Sequence, residues 1–180
     1  MSDVLVIHLD DRSTDFLKLI YKDKNYDIIN DGNMRNSELV DQIRNHNKII
    51  MMGHGLPYGL INVNRGPKNL NLFFINDSHA DLLREKETVS IWCFSDEYFS
   101  RNTIKGFHTG MIISETSEER MVLNYEPLNK DELLDNMNFM ATIFSECIEL
   151  SPEEIRSYML TNYNRHDPVS EFNRKNMIVI

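Results

Sequence analysis

Two side chains capable of nucleophilic and acid–base chemistry close two apolar runs. Ile49-Ile50-Met51-Met52-Gly53-His54-Gly55 delivers an imidazole followed by glycine, and Val89-Ser90-Ile91-Trp92-Cys93 delivers a thiol. Cysteine attacks as its thiolate, so it needs either a base for its proton or surroundings that lower its pKa. His54 is that base if the two runs are neighbouring parallel strands, about 5 Å apart, because their carboxyl ends then open on one crevice. In that arrangement Cys93 is the nucleophile, and the amides of Gly55 and Cys93 form an oxyanion hole. Asp96, just beyond the thiol, is the candidate for orienting His54.

The elements that must position this pair alternate along the chain. Val4 to Leu9 reads as a buried strand, with Ser13 or Thr14 capping a following helix that contains Phe16, Leu17, Leu19 and Ile20. Tyr26 to Ile29 is a second strand, closed by Asn30-Asp31-Gly32-Asn33. A helix carrying Leu39, Val40 and Ile43 then leads to the strand before His54. Pro57, Gly59, Gly66 and Pro67 break the rhythm between Gly55 and Asn76, which reads as a β-hairpin excursion that could shape a substrate groove. Asp77 or Ser78 caps a helix feeding the strand before Cys93. Asp96 to Phe99 is a short helix, Phe107 to Ile113 a fifth strand, and Asp131 to Cys147 a long helix. Ser151-Pro152-Glu153-Glu154 is a helix start with cap, proline and capping-box glutamate, and Met177 to Ile180 is a final strand. Strand–helix alternation of this kind predicts an α/β fold, a mostly parallel sheet flanked by helices with a helical carboxyl-terminal region, in one domain spanning 1–180.

The other histidines and the second cysteine read as structural. His8 alternates within the first strand, His79 and His108 lie at the wrong end of the sheet, and His46 and His166 are expected to face solvent. Cys147 belongs to the apolar stripe of the long helix, and Trp92 points away from the Cys93 face. No pair has metal-ligand spacing, so no metal is expected. No glycine-rich phosphate loop follows the first strand, so no nucleotide is expected either.

A net charge of −9, with scattered lysines and arginines, argues against a nucleic-acid partner. No apolar run has membrane-spanning length, and Met1-Ser2-Asp3 lacks the pattern of a secretory signal, so the expected location is cytoplasmic with reduced thiols.

A strand ending in His-Gly, then a second ending in Cys, in this order and spacing, resembles the caspase-like (clan CD) cysteine peptidases. That group includes caspases, metacaspases, gingipains, separases, legumains and bacterial CHAT-type proteases. The likeness rests on Met51-Met52-Gly53-His54-Gly55 and Ser90-Ile91-Trp92-Cys93, and covers the strand–helix pattern from Val4 to Ile113. It implies a three-layer fold, a His54/Cys93 dyad with no obligatory third residue, a peptide or protein substrate, and no cofactor. The Gln-Ala-Cys-Arg-Gly stretch of true caspases is absent. Ile91 stands where metacaspases have an aspartate, so neither specificity carries over. In such folds the loop after the first strand contributes to the substrate pocket. Here Asp10 and Asp11, with Asp31 after the second strand, would receive a basic P1 side chain. An activating sensor protein is a further expected partner. Two rivals stand beside the peptidase: a catalytically inactive caspase-like or flavodoxin-like protein-binding module, and a thiol acyltransferase using the same dyad.

Overall fold

The computed structural model describes residues 2–62, 72–123 and 128–180. Its centre is a six-stranded sheet. Strands β1 (Val4–His8), β2 (Asp27–Ile29), β3 (Lys48–Met52), β7 (Glu87–Ile91), β8 (Gly106–Thr109) and β9 (Met177–Val179) are ordered β2-β1-β3-β7-β8-β9. All pairings are parallel except the last, where β9 runs antiparallel to β8. A second, antiparallel sheet of β4 (Gly55–Leu56), β5 (Gly59–Ile61) and β6 (Phe73–Ile75) follows β3. The hairpin expectation holds for these strands, while Val63, Gly66, Pro67 and Leu70 fall outside the described residues.

Side-chain alternation along the central strands builds two cores. Val6, Ile50, Met52, Val89 and Ile91 face one layer, which holds the long helix α5 (Lys130–Cys147), α6 (Pro152–Asn162) and a 3₁₀ helix over Arg12–Ile20. Leu5, Ile7, Ile49 and Met51 face the other, with α1 (Asn36–Asn45), α2 (Ala80–Leu83) and α3 (Ser95–Arg101). Strands β1 and β3, buried on both faces, carry the unbroken apolar runs Val4–Ile7 and Ile49–Met52, which is why they stand out in the sequence, whereas β7 buries Thr88 and Ser90 among its apolar residues. The chain completes the helical layers with α4 (Thr116–Val122) and α7 (Pro168–Lys175). Among the described residues no helix is long and apolar enough to cross a membrane.

Four local expectations change, one of them at the turn into α2, where Asn76 rather than Asp77 or Ser78 is the cap, its side chain accepting from the Ser78 amide at 3.0 Å. The first helix is 3₁₀ and is capped by Asp11, whose carboxylate accepts from the Ser13 amide at 3.1 Å, rather than by Ser13 or Thr14. The fifth strand ends at Thr109 instead of Ile113, because its antiparallel ladder with β9 finishes at the Thr109–Met177 pair. Beyond it the Gly110 amide bonds to Asn176 and the Ile113 amide to the Asn173 side chain, which holds 110–114 as a loop across the sheet end. His46 is 1% exposed rather than solvent-facing, since its ring bridges the Gln42 carbonyl and Asp27.

Candidate active site

Strands β3 and β7 pair in parallel register, Met52 opposite Ile91, and the Gly53 amide continues the ladder to the Ile91 carbonyl at 3.2 Å. His54 and Cys93 each lie two residues past this last pair, so they leave adjacent strands at the same level. Both line one narrow cleft of about 20 Å³, walled by Phe16 and Leu17 of the 3₁₀ helix, Ile112 and Ser114 of the 110–114 loop, and Met140 of α5. A volume that small is about the space of a single water.

Gly53 turns the chain out of β3 with φ 137°, a conformation side chains rarely adopt. On the other strand, Phe94 follows the thiol at φ 66° and starts α3. A bulky residue in the left-handed region costs on the order of 1 kcal/mol or more, so the surrounding packing must impose it. Strand alternation puts Cys93 on the Ile91 face, while Trp92 is buried in the opposite core against Tyr98 and Phe99.

The imidazole is held by residues from the loop after β1. His54 Nε2 lies 2.7 Å from Ser13 Oγ and 3.1 Å from Asp11 Oδ2. Since β1 is hydrogen-bonded to β3, His8 opposite Met52, the loop after β1 necessarily ends beside His54. With the ring proton on Nε2, donated to the Ser13 oxygen, the lone pair sits on Nδ1, which bonds to no other group among the described residues. Asp11 then stands where it stabilises the imidazolium that forms when Nδ1 takes a proton. Asp96 makes no bond to His54; its Oδ1 is buried without a partner, and burial pushes its carboxyl up. The acid beside His54 is therefore Asp11 and not the candidate Asp96. The available signal was Asp11-x-Ser13 at the end of β1, which becomes informative once β1 and β3 are known to be neighbours.

The thiol is in a resting arrangement. Cys93 Sγ donates to the Ile112 carbonyl at 3.5 Å and makes no hydrogen bond to His54. Burial pushes its pKa up to about 11, outweighing the Ile112 contact, with a further upward push from Glu118. A thiol in this state is protonated at neutral pH.

The remaining expected site residues distribute unevenly. Gly55 does not line the cleft; the glycine that does is Gly53. A Cβ at Gly55 would come within 1.9 Å of Trp92 Cδ1, so tight indole packing explains that glycine. The Cys93 amide bonds to no protein group among the described residues, whereas that of Gly53 is used by Ile91. Each of the three acids proposed for a basic side chain has a partner within the chain. Asp10 contacts Lys18 at 3.5 Å, Asp11 holds His54, and Asp31 accepts the Asn33 amide of its own turn. Strands β5 and β6 pack on the Trp92 face rather than forming a groove at the thiol.

Three further histidines take structural hydrogen bonds, and His166 is exposed. His8 is buried between Tyr21 and Thr14, and desolvation lowers its pKa to about 4. His79 bonds to the Asn36 side chain, and His108 to Ser90. Cys147 packs within α5, fully buried. Among the described residues no group of three or more His, Cys, Asp or Glu could hold a metal ion.

Comparison of this chain with protein-family models, with curated proteins and with solved structures gives no match.

Proposed function

We propose that this chain is a caspase-like cysteine peptidase whose His54/Cys93 dyad rests in a closed state. The observation that carries this reading is the register of β3 and β7, which brings imidazole and thiol to the same level on adjacent parallel strands and into one cleft. In the reaction, Cys93 Sγ leaves the Ile112 carbonyl, passes its proton to His54 Nδ1, and attacks the substrate carbonyl carbon. The Cys93 amide donates to the oxyanion. Collapse of the tetrahedral intermediate breaks the C–N bond, and the imidazolium returns its proton to the leaving amine. Water, deprotonated by His54, then attacks the thioester and releases acid and thiol. Ser13 keeps the ring oriented and Asp11 supports its positive form. Opening of the Phe16–Ile112 wall precedes attack, and this is the step an activating partner would drive.

One observation favours a second reading, a non-catalytic binding module: the thiol is half-buried, engaged with the Ile112 carbonyl and kept protonated by desolvation. A peptide-library digestion with wild type, Cys93→Ala and the wall-opening Phe16→Ala variant separates the two. Cleavage that Phe16→Ala raises and Cys93→Ala abolishes is the expected result. No thiol-dependent cleavage from either wild type or Phe16→Ala would refute the peptidase and leave the binding module.

A further inference from the structure

A larger cleft of about 580 Å³ adjoins the dyad and shares the walls Phe16 and Ser114 with it. Its floor is apolar, built from Phe16, Leu133, Leu134 and Met137, and Leu134 is 50% exposed there. Arg12 stands on one side and Lys130 on the other. Neither cation has an ion-pair partner among the described residues, although the chain carries 28 acidic residues against 19 lysines and arginines. Two such cations lining one apolar floor make the cleft the complement of a segment that carries both an acid and an apolar side chain. Among the described residues the one carboxylate on the rim, Glu115, caps α4 and takes the Ser117 hydroxyl at 3.3 Å.

We infer that this cleft docks a peptide segment in which an aspartate or glutamate adjoins a large apolar residue, held beside the dyad rather than in it. The apolar side chain covers Leu134 and the edge of Phe16, and the carboxylate meets Arg12 and Lys130. A free inorganic anion would satisfy the cations but leave the apolar floor wet, which is why the occupant needs both features. Ser13 lines the same cleft and bonds to His54, so a docked segment lies against the groups that position the imidazole. The sign of this specificity is opposite to the basic preference drawn from Asp10, Asp11 and Asp31. Its relation to catalysis rests on the peptidase reading; the docking itself does not.

The test uses full-length Cys93→Ala protein and fluorescence anisotropy with three labelled peptides, identical except for a central Asp-Leu, Lys-Leu or Asp-Ser. The Asp-Leu peptide is expected to bind at least about tenfold tighter than either counterpart, the scale of one charge-assisted contact or one well-buried side chain. Arg12→Gln combined with Lys130→Gln should erase the Asp over Lys preference, and Arg12→Glu with Lys130→Glu should reverse it. Equal binding of the three peptides, or an unchanged preference in the charge variants, would overturn the inference. Docking with the expected preference, alongside no thiol-dependent cleavage of any library peptide by wild type or Phe16→Ala, would instead count against the peptidase alone. Cleavage of other peptides without the preference would remove the cleft and leave the dyad standing.

Discussion

Truncating Phe16 to alanine should turn Cys93 from an inert thiol into a reactive one. With its pKa pushed up to about 11 by burial, the thiol has a thiolate fraction at pH 7 of about 10⁻⁴. An unperturbed cysteine near 8.5 has about 3%, so resting Cys93 should alkylate roughly 300-fold more slowly than a free thiol. The wall responsible includes the Phe16 ring, and the cleft behind it has about 20 Å³ of room. Replacing the ring by a methyl group opens space for several waters at about 30 Å³ each. Each pKa unit recovered by that hydration multiplies the thiolate about tenfold. The nine-residue 3₁₀ helix bearing Phe16 is itself a weakly bonded element, since such helices rarely run so long. Iodoacetamide labelling resolved by peptide mass spectrometry, from pH 6 to 10, measures the rate. Cys147, fully buried and pushed up to about 12, should stay unlabelled in the native protein and serves as the internal control. A tenfold or greater acceleration at Cys93 in folded Phe16→Ala is expected. Wild-type labelling at the free-thiol rate, or a rate that Phe16→Ala leaves untouched, would refute the reasoning that burial under this wall silences the thiol.

Asp11→Asn keeps a side-chain oxygen for the helix cap but removes the charge beside His54, so kcat for peptide cleavage should fall by about 10- to 100-fold with KM and melting temperature nearly unchanged; unchanged kcat would reduce Asp11 to a cap. Gly55→Ala drives a methyl group into the Trp92 indole and should cost about 1–3 kcal/mol in urea unfolding, whereas a neutral outcome would show that β4 shifts freely. Acid should destabilise the fold through His8 and His108, whose folded pKa values are lowered by burial to about 4 and about 3. The unfolded chain binds protons more readily at both, so their contribution is complete above about pH 6.5 and is lost as pH falls toward the folded values. Between pH 7 and 5 the two together remove roughly 3–4 kcal/mol. A urea midpoint independent of pH over that interval would contradict their burial as neutral rings.

The chain alone determines which segments become central strands and which two chemical groups they end on. Ile49 to Met52 is apolar throughout because both faces of its strand are covered, and that signal needs no tertiary knowledge; in β7 it is carried by Val89 and Ile91, with Ser90 buried between them. Their adjacency followed from treating His54 and Cys93 as carboxyl-end residues of a parallel sheet, and the register bears this out. Tertiary structure decided the rest. Asp11 becomes a partner of His54 only because β1 lies next to β3, a fact of strand order that local sequence does not encode. The closure over Cys93 joins Phe16, Ile112 and Met140 from three distant segments, and the Ile112 carbonyl is free to take the thiol only because β9 ends its ladder at Thr109. Periodicity reports which face of an element is buried; it carries nothing about what buries it. The state of the thiol depends on that covering, because desolvation is a property of the neighbours and not of the cysteine.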